Sequence, residues 1–172
     1  MTEEIRIRRA EAADADFLAG LATHEDVEPF LGAVAARDRD SILAEIERSL
    51  AEPEDFGRFV IEVDGERAGS MGFHVGSRHS RIARLEGLAV HPDFRGRRVA
   101  DEAARLLQRH LLFELGYHRL ELECYAFNDR AIRHAERAGY VREGTKRKAY
   151  RRHGEWVDGV LFGLVREDLE EG

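Results

Sequence analysis

Apolar residues recur along the chain at two spacings, and the switches between them predict the elements. Ile5 and Ile7 alternate with Arg6 and Arg8, the period of a short strand. Phe17, Leu18 and Leu21 follow at helical spacing behind Asp14, a candidate cap. A second helical piece is expected over about 24–31. Asp40 opens an amphipathic stretch with Ile42, Leu43, Ile46 and Leu50 on one face. Phe59 to Val63 and Arg67 to Val75 flank Asp64-Gly65, a pair suited to the left-handed conformations of a tight hairpin turn. Residues 82–90 read as a further strand. After His91-Pro92-Asp93-Phe94-Arg95-Gly96, a long helix is expected from about Arg98 to Leu115. Val99, Ala103, Leu106, Leu107 and Leu111 form its apolar stripe, and Gly116 is its stop. Arg119 to Ala126 predicts a strand, and Asp129 to Ala138 a short helix ended by Gly139. Tyr140 to Arg152 and Trp156 to Val165 predict a closing hairpin around His153-Gly154-Glu155. The order suits an α/β (α+β) fold, a mixed sheet flanked by helices.

Composition narrows the class. The 172 residues suit one domain over 1–172, without repeats, low-complexity tracts or a linker. Hydrophobic residues at 43% and charged residues at 35% read as an ordinary soluble protein. A net charge of −7 argues against nucleic acid as partner, because phosphate binding needs a cationic surface. Met1-Thr2-Glu3-Glu4 lacks the basic and apolar regions of a signal peptide, and no apolar run approaches the roughly 20 residues of a membrane span, so a cytoplasmic location is expected. The single cysteine, Cys124, reads as a small buried side chain rather than a nucleophile. The eight histidines lack ligand spacing, so no metal is expected.

The informative stretch runs from Leu85 to Ala100, Leu-Glu-Gly-Leu-Ala-Val-His-Pro-Asp-Phe-Arg-Gly-Arg-Arg-Val-Ala. A strand enters a turn that opens directly onto a helix. The first amides of a helix lack internal partners and carry partial positive charge, which suits phosphate. Gly96 and Ala100 are small enough to let a diphosphate approach, and Arg95, Arg97 and Arg98 add charge. The competing reading is an arginine-rich solvated turn.

Here the chain resembles the GNAT family of N-acetyltransferases. The family loop reads Arg or Gln, two residues of any kind, Gly, any residue, then Gly or Ala. Arg95 and Ala100 match its ends; Arg98 replaces the middle glycine, and Gly96 lies two positions earlier. Arg98 is expected to present its amide from a helical backbone. A second match, Asn128-Asp129-Arg130-Ala131-Ile132 followed by Ala138-Gly139-Tyr140, resembles the family's strand-Asn-helix-Gly-Phe segment. Arg142 to Thr145 and the closing hairpin resemble the branch that acetylates ribosomal-protein N-termini and polyamines.

The resemblance implies a mostly antiparallel sheet whose fourth and fifth strands, about 82–90 and 119–126, splay apart to admit the pantetheine of acetyl-CoA as an added strand. It implies that Leu88, Ala89 and Val90 bond the pantetheine. Arg95, Gly96, Arg97, Arg98, Val99, Ala100 and Asp101 surround the diphosphate. Asn128 is a further contact, with helix capping as its alternative role. The candidate bases that free the amine's lone pair are Glu86 and Glu123, each of which also reads as an exposed strand residue. The family's thiolate acids, a tyrosine or a serine, are replaced by Ala135 and Ala131. Tyr150 and His153 are the substitutes in sight, although hairpin surface is the favoured reading of both. Lys146-Arg147-Lys148 and Arg151-Arg152 read as a solvated basic face, with an acceptor-site wall as the alternative.

Two functions follow. One is an N-acetyltransferase acting on a primary amine, either a small molecule or a protein N-terminus, with a homodimer left open. The other is a coenzyme-A-binding sensor or interaction module without turnover. A nucleic-acid binder using the basic hairpin is disfavoured by the acidic balance.

Overall fold

The computed structural model describes residues 2–33 and 35–170. The chain forms β1 (Ile5–Arg9), α1 (Ala15–Ala22), α2 (Arg39–Ala51), β2 (Phe56–Val63), β3 (Glu66–Ser77), β4 (Ile82–Val90), α3 (Val99–Arg109), β5 (Arg119–Tyr125), α4 (Asp129–Arg137), β6 (Val141–Arg152), β7 (Glu155–Val165) and α5 (Arg166–Glu170). The strands order as β1-β2-β3-β4-β5-β7-β6. β4 and β5 are parallel, whereas β1–β2, β2–β3, β5–β7 and β6–β7 are antiparallel. The mixed, mostly antiparallel sheet with flanking helices is the expected fold class.

Both sequence-predicted hairpins turn on paired left-handed residues. Asp64 and Gly65 have φ of 49° and 84°, and His153 and Gly154 have 49° and 81°. Two positive φ values in a row match the right-handed twist of the strands they join.

The chain groups into two compact units, Met1–His74 with Glu86–Leu107, and Val75–Leu85 with Gln108–Gly172. In the first, Leu18 of α1 and Ile42 and Ile46 of α2 pack with Val60 of β2, all buried. β2 is buried over nearly its whole length, so it has no solvent face. In the second, Leu111, Leu112, Tyr117, Leu120, Phe162 and Leu164 are almost fully buried.

Several expectations change. The helical piece at 24–31 reduces to a single 3-10 turn, Glu28–Phe30, because Pro29 has no N–H to continue a ladder. The long helix begins at Val99 rather than Arg98 and gives way to a π-helical turn over His110–Glu114 before Gly116, whose φ is 78°. α2 begins at Arg39, one residue before Asp40, and is capped by Asp38, whose carboxylate accepts from Ser41 N at 2.9 Å. Asp14 does not cap α1 with its side chain; it accepts from Glu11 N, Arg8 and Arg67 instead. β2 begins at Phe56, earlier than expected, and so takes in Arg58.

Candidate functional site

β4 pairs with β5 through Ile82–Arg84 against Arg119–Glu121. It then continues to Val90 through Gly87, whose φ of 68° interrupts the extended run. An added Cβ at Gly87 would lie 3.1 Å from Arg58 Nη1, so the guanidinium rests against this kink. Ser70 Oγ donates to Gly87 O at 3.2 Å. Gly69 leaves no room for a side chain beside the Ala89 carbonyl, which holds β3 close to this end of β4. Leu88 and Val90 are half-buried and Ala89 is buried. Glu86 is exposed, with Oε1 3.3 Å from His74 Nδ1.

The turn after β4 is shaped by two left-handed residues, Gly96 at φ 79° and Arg98 at φ 59°. The helical backbone expected of Arg98 is therefore corrected. The chain has to reverse into α3 at this point, and the family's glycine position is where it does so. Arg98 adopts the conformation that glycine takes without a Cβ clash. The first helical bond runs from Glu102 N to Arg98 O at 3.1 Å, so among the described residues the amides of Val99 and Ala100 have no partner inside the helix. A side chain at Gly96 would meet no atom within 4 Å. The three arginines divide. Arg95 donates to Asp26 O at 2.9 Å, Arg97 pairs with Glu3 at 3.0 Å, and the Arg98 side chain is exposed.

In the second unit, Asn128 is the N-cap of α4, its Oδ1 accepting from Ala131 N at 3.2 Å. Ala135 is fully buried and Ala131 half-buried, so neither offers a proton. Glu123 lies between two donors. Tyr150 donates its hydroxyl to Oε1 at 2.5 Å, and Lys146 Nζ is 3.4 Å from Oε2. Tyr150 is thus a partner of Glu123 rather than bare hairpin surface. Burial, then the Glu123 carboxylate, push its hydroxyl above the usual phenol range. Gly159 makes room for the pair, since a Cβ there would collide with both side chains. His153 is exposed in its turn. Burial pushes the Cys124 thiol up to about 11, so it stays protonated near neutral pH. The basic run is split among partners: Lys148 N donates to Asp158 at 2.7 Å, Arg151 stacks on Trp156, and Arg152 on Tyr125.

The sequence pattern missed a third group. Arg58, Ser70, Gly87 and Ala89 line a recess with Leu18, Leu21, Ala22, Leu31 and other residues of the first unit. Arg58 is only 9% exposed. Its Nε is buried without a hydrogen-bond partner among the described residues. Burial lowers its affinity for the proton, and Glu45 and Glu86 oppose that effect at longer range. Burial pushes the Glu45 carboxyl above the usual range, Arg58 pulls it down, and Glu86 raises it. The available signal was a lone arginine inside an otherwise apolar run, Phe56 to Val63.

Among the described residues, no grouping of His, Cys, Asp and Glu could hold a metal ion, and no helix is long and apolar enough to cross a membrane.

Residues 4–141 match the family model of the acetyltransferase (GNAT) domain. The chain is 36% identical over 83 residues to the SPbeta prophage-derived uncharacterized N-acetyltransferase YokL of Bacillus subtilis, a match covering 48% of this chain and 47% of that protein. The chain spans about half the length of the curated relatives it matches. Among solved structures, a spermidine N-acetyltransferase SpeG chimera from Vibrio cholerae and hSSAT superposes with a TM-score of 0.85 at 16% identity, over 98% of this chain and 99% of that one. RimL, a ribosomal L7/L12 alpha-N-protein acetyltransferase in complex with coenzyme A, superposes with a TM-score of 0.82 at 17% identity, over 94% and 93%. At these identities the likeness is one of fold.

Proposed function

The chain belongs to the GNAT acetyltransferase family, and from that premise we propose that it transfers the acetyl group of acetyl-CoA to a primary amine. The observation that carries this reading is the junction of β4 and α3. Left-handed Gly96 and Arg98 bend the chain into α3, so that the amides of Val99 and Ala100 precede the first helical bond, beside an exposed Arg98 guanidinium and a glycine with open space. That donor set fits a diphosphate. Gly96 to Asp101 would hold it, with Arg95 shaping the turn through Asp26. Leu88, Ala89 and Val90 would offer their backbone to the pantetheine arm. Asn128 keeps its amide N–H groups for a further contact, since capping uses only its oxygen.

Bound acetyl-CoA supplies a thioester carbonyl. In the transfer the amine nitrogen bonds the acetyl carbon and the carbon–sulfur bond breaks. The amine loses one proton to a base, and the departing sulfur carries the electron pair away as thiolate or, after protonation, thiol. Glu86 is the better-placed base, because one of its oxygens is not engaged by any described residue; both oxygens of Glu123 already accept from donors. Backbone amides near Val90 would face the developing oxyanion. The acceptor is a small-molecule amine or a protein N-terminus, the protein acts as a single domain in the cytoplasm, and homodimerisation is compatible with it.

Ala131 and Ala135, in the two positions that supply a family acid, favour a second reading, coenzyme A binding without turnover. Calorimetry with acetyl-CoA, followed by transfer assays over an amine panel, tests both. Ala100→Glu sets negative charge against the diphosphate and is expected to weaken binding at least about tenfold, or ~1.4 kcal/mol. Unchanged affinity in the folded variant places the nucleotide elsewhere, and binding without transfer to any amine selects the second reading.

A further inference from the structure

Arg58 presents a problem that the acetyl-transfer reading does not resolve. It sits on β2, between Gly57 and Phe59, with 9% of its surface exposed. An arginine buried to this degree normally has its charge paired and its donors filled. Here Nε has no hydrogen-bond partner among the described residues, and no described carboxylate forms an ion pair with the guanidinium. The nearby carboxylates, Glu45 and Glu86, act on it only at longer range, and Glu86 leans on His74 instead. The group is not sealed in a solid core. It lines a recess of ≈ 260 Å³, part of which is open solvent, with Leu18 and Leu21 as apolar wall and Ser70 and Gly87 beside it. Ser70 spends its hydroxyl on the Gly87 carbonyl, so Arg58 is the strong donor left in the recess.

Its place beside β4 narrows the guest. Nη1 lies against Gly87, whose chain neighbour is Glu86, the candidate base. A carboxylate held by Arg58 puts an amine on the adjacent carbon beside this stretch of β4. Leu18 and Leu21 line the recess, so the rest of the guest is an apolar side chain facing them.

We propose that this recess is the acceptor subsite for a small amino acid, with Arg58 taking its carboxylate. The inference rests on the acetyl-transfer reading for the fate of the amine, but the recognition itself stands apart from turnover. Arg58 here is a specificity residue. The forked guanidinium matches a carboxylate with two parallel hydrogen bonds, which a point-charge lysine does not reproduce.

The test reads binding first. Leucine, leucine amide and 3-methylbutylamine are titrated into the protein in the presence of coenzyme A by calorimetry. These probes share the amine and the apolar chain and differ in the carboxylate. The expected result is at least about 30-fold tighter binding of leucine than of either analogue, which is about 2 kcal/mol. That preference falls below about threefold in Arg58→Met, while Arg58→Lys retains an intermediate preference, with circular dichroism confirming that both variants fold. Equal affinity for all three probes overturns the proposal. So does an unchanged preference in Arg58→Met, or at least tenfold tighter binding of a peptide beginning with Asp than of the free amino acids. Transfer is then assayed separately. Leucine bound but no amine acetylated refutes the acetyl-transfer reading alone, and amines acetylated without regard to the carboxylate refute this inference alone.

Discussion

Glu86 and Glu123 look alike in the sequence, one glutamate on each of two strands, yet their surroundings differ. Glu123 accepts from Tyr150 and Lys146, and removing its charge leaves both donors to solvent because the pair is partly exposed. Among the described residues, the Glu86 carboxylate reaches only the His74 ring. Glu86→Gln is therefore expected to lower kcat by about 10² to 10⁴, the usual worth of a general base, while Glu123→Gln lowers it less than about tenfold. A kcat–pH profile with a competent acceptor measures both. The native profile is expected to rise to a plateau without a falling limb below about pH 9.5, since Ala131 and Ala135 carry no proton and the Tyr150 hydroxyl is committed to Glu123. A large loss in Glu123→Gln with full rate in Glu86→Gln reverses the assignment. An alkaline limb that vanishes in Tyr150→Phe makes Tyr150 the acid.

The turn between β4 and α3 shows how an element adjusts to a residue that its backbone does not favour. Arg98 has φ 59°, in a region that costs a residue with a Cβ about 1–2 kcal/mol. Glycine removes that cost but adds about 0.5–1 kcal/mol of chain entropy on unfolding. Arg98→Gly is expected to raise Tm by roughly 2 °C, on a scale of about 2–4 °C per kcal/mol for a chain of this size. It is also expected to weaken acetyl-CoA binding, because the exposed guanidinium is lost. Thermal denaturation and calorimetry separate these opposite effects; a fall in Tm means that the arginine side chain stabilises the turn more than its backbone strains it. The same element explains why the predicted long helix is shorter. Its apolar stripe continues through Leu111, but the π-helical turn over His110–Glu114 shifts the register before Gly116.

At the scale of the molecule, a buried carboxylate, Asp14, contributes to acid stability. Asp14 is 1% exposed and accepts from Arg8 at 2.7 and 2.9 Å and from Arg67 at 2.7 Å, joining the segment before α1 to β1 and β3. The Arg8 guanidinium, first among its partners, holds the carboxyl well below the usual range, against the opposing effect of burial. A depressed folded pKa gives stability that is complete above the unfolded value, near 3.9, and is lost as pH falls through the lower folded one. Asp14→Asn leaves two arginines facing a neutral amide. It is expected to cost about 3 kcal/mol at pH 7 and to flatten the dependence of stability on pH below about 4, as measured by urea denaturation over a pH series. An Asn variant of native stability and unchanged acid limb shows that water satisfies the arginines.

Local physics made much of this protein legible from its sequence. Residues 82–90 form the strand expected of them, Asp64-Gly65 and His153-Gly154 supply paired left-handed residues, and Asn128 caps the helix that starts beside it. Each feature depends on neighbours a few positions away, so spacing and residue type suffice. The strand-turn-helix junction was legible for the same reason, although the left-handed state of Arg98 was not, because no arginine favours it and only the demand of the fold imposes it. The rest was decided in three dimensions. Arg58, Ser70 and Gly87 come from three different strands, Tyr150 reaches Glu123 across 27 positions, and Arg67 reaches Asp14 across 53. Periodicity along a strand records which face a residue takes but not which distant residue shares that face. Sheet order and strand register make those meetings, and with them the charged recess.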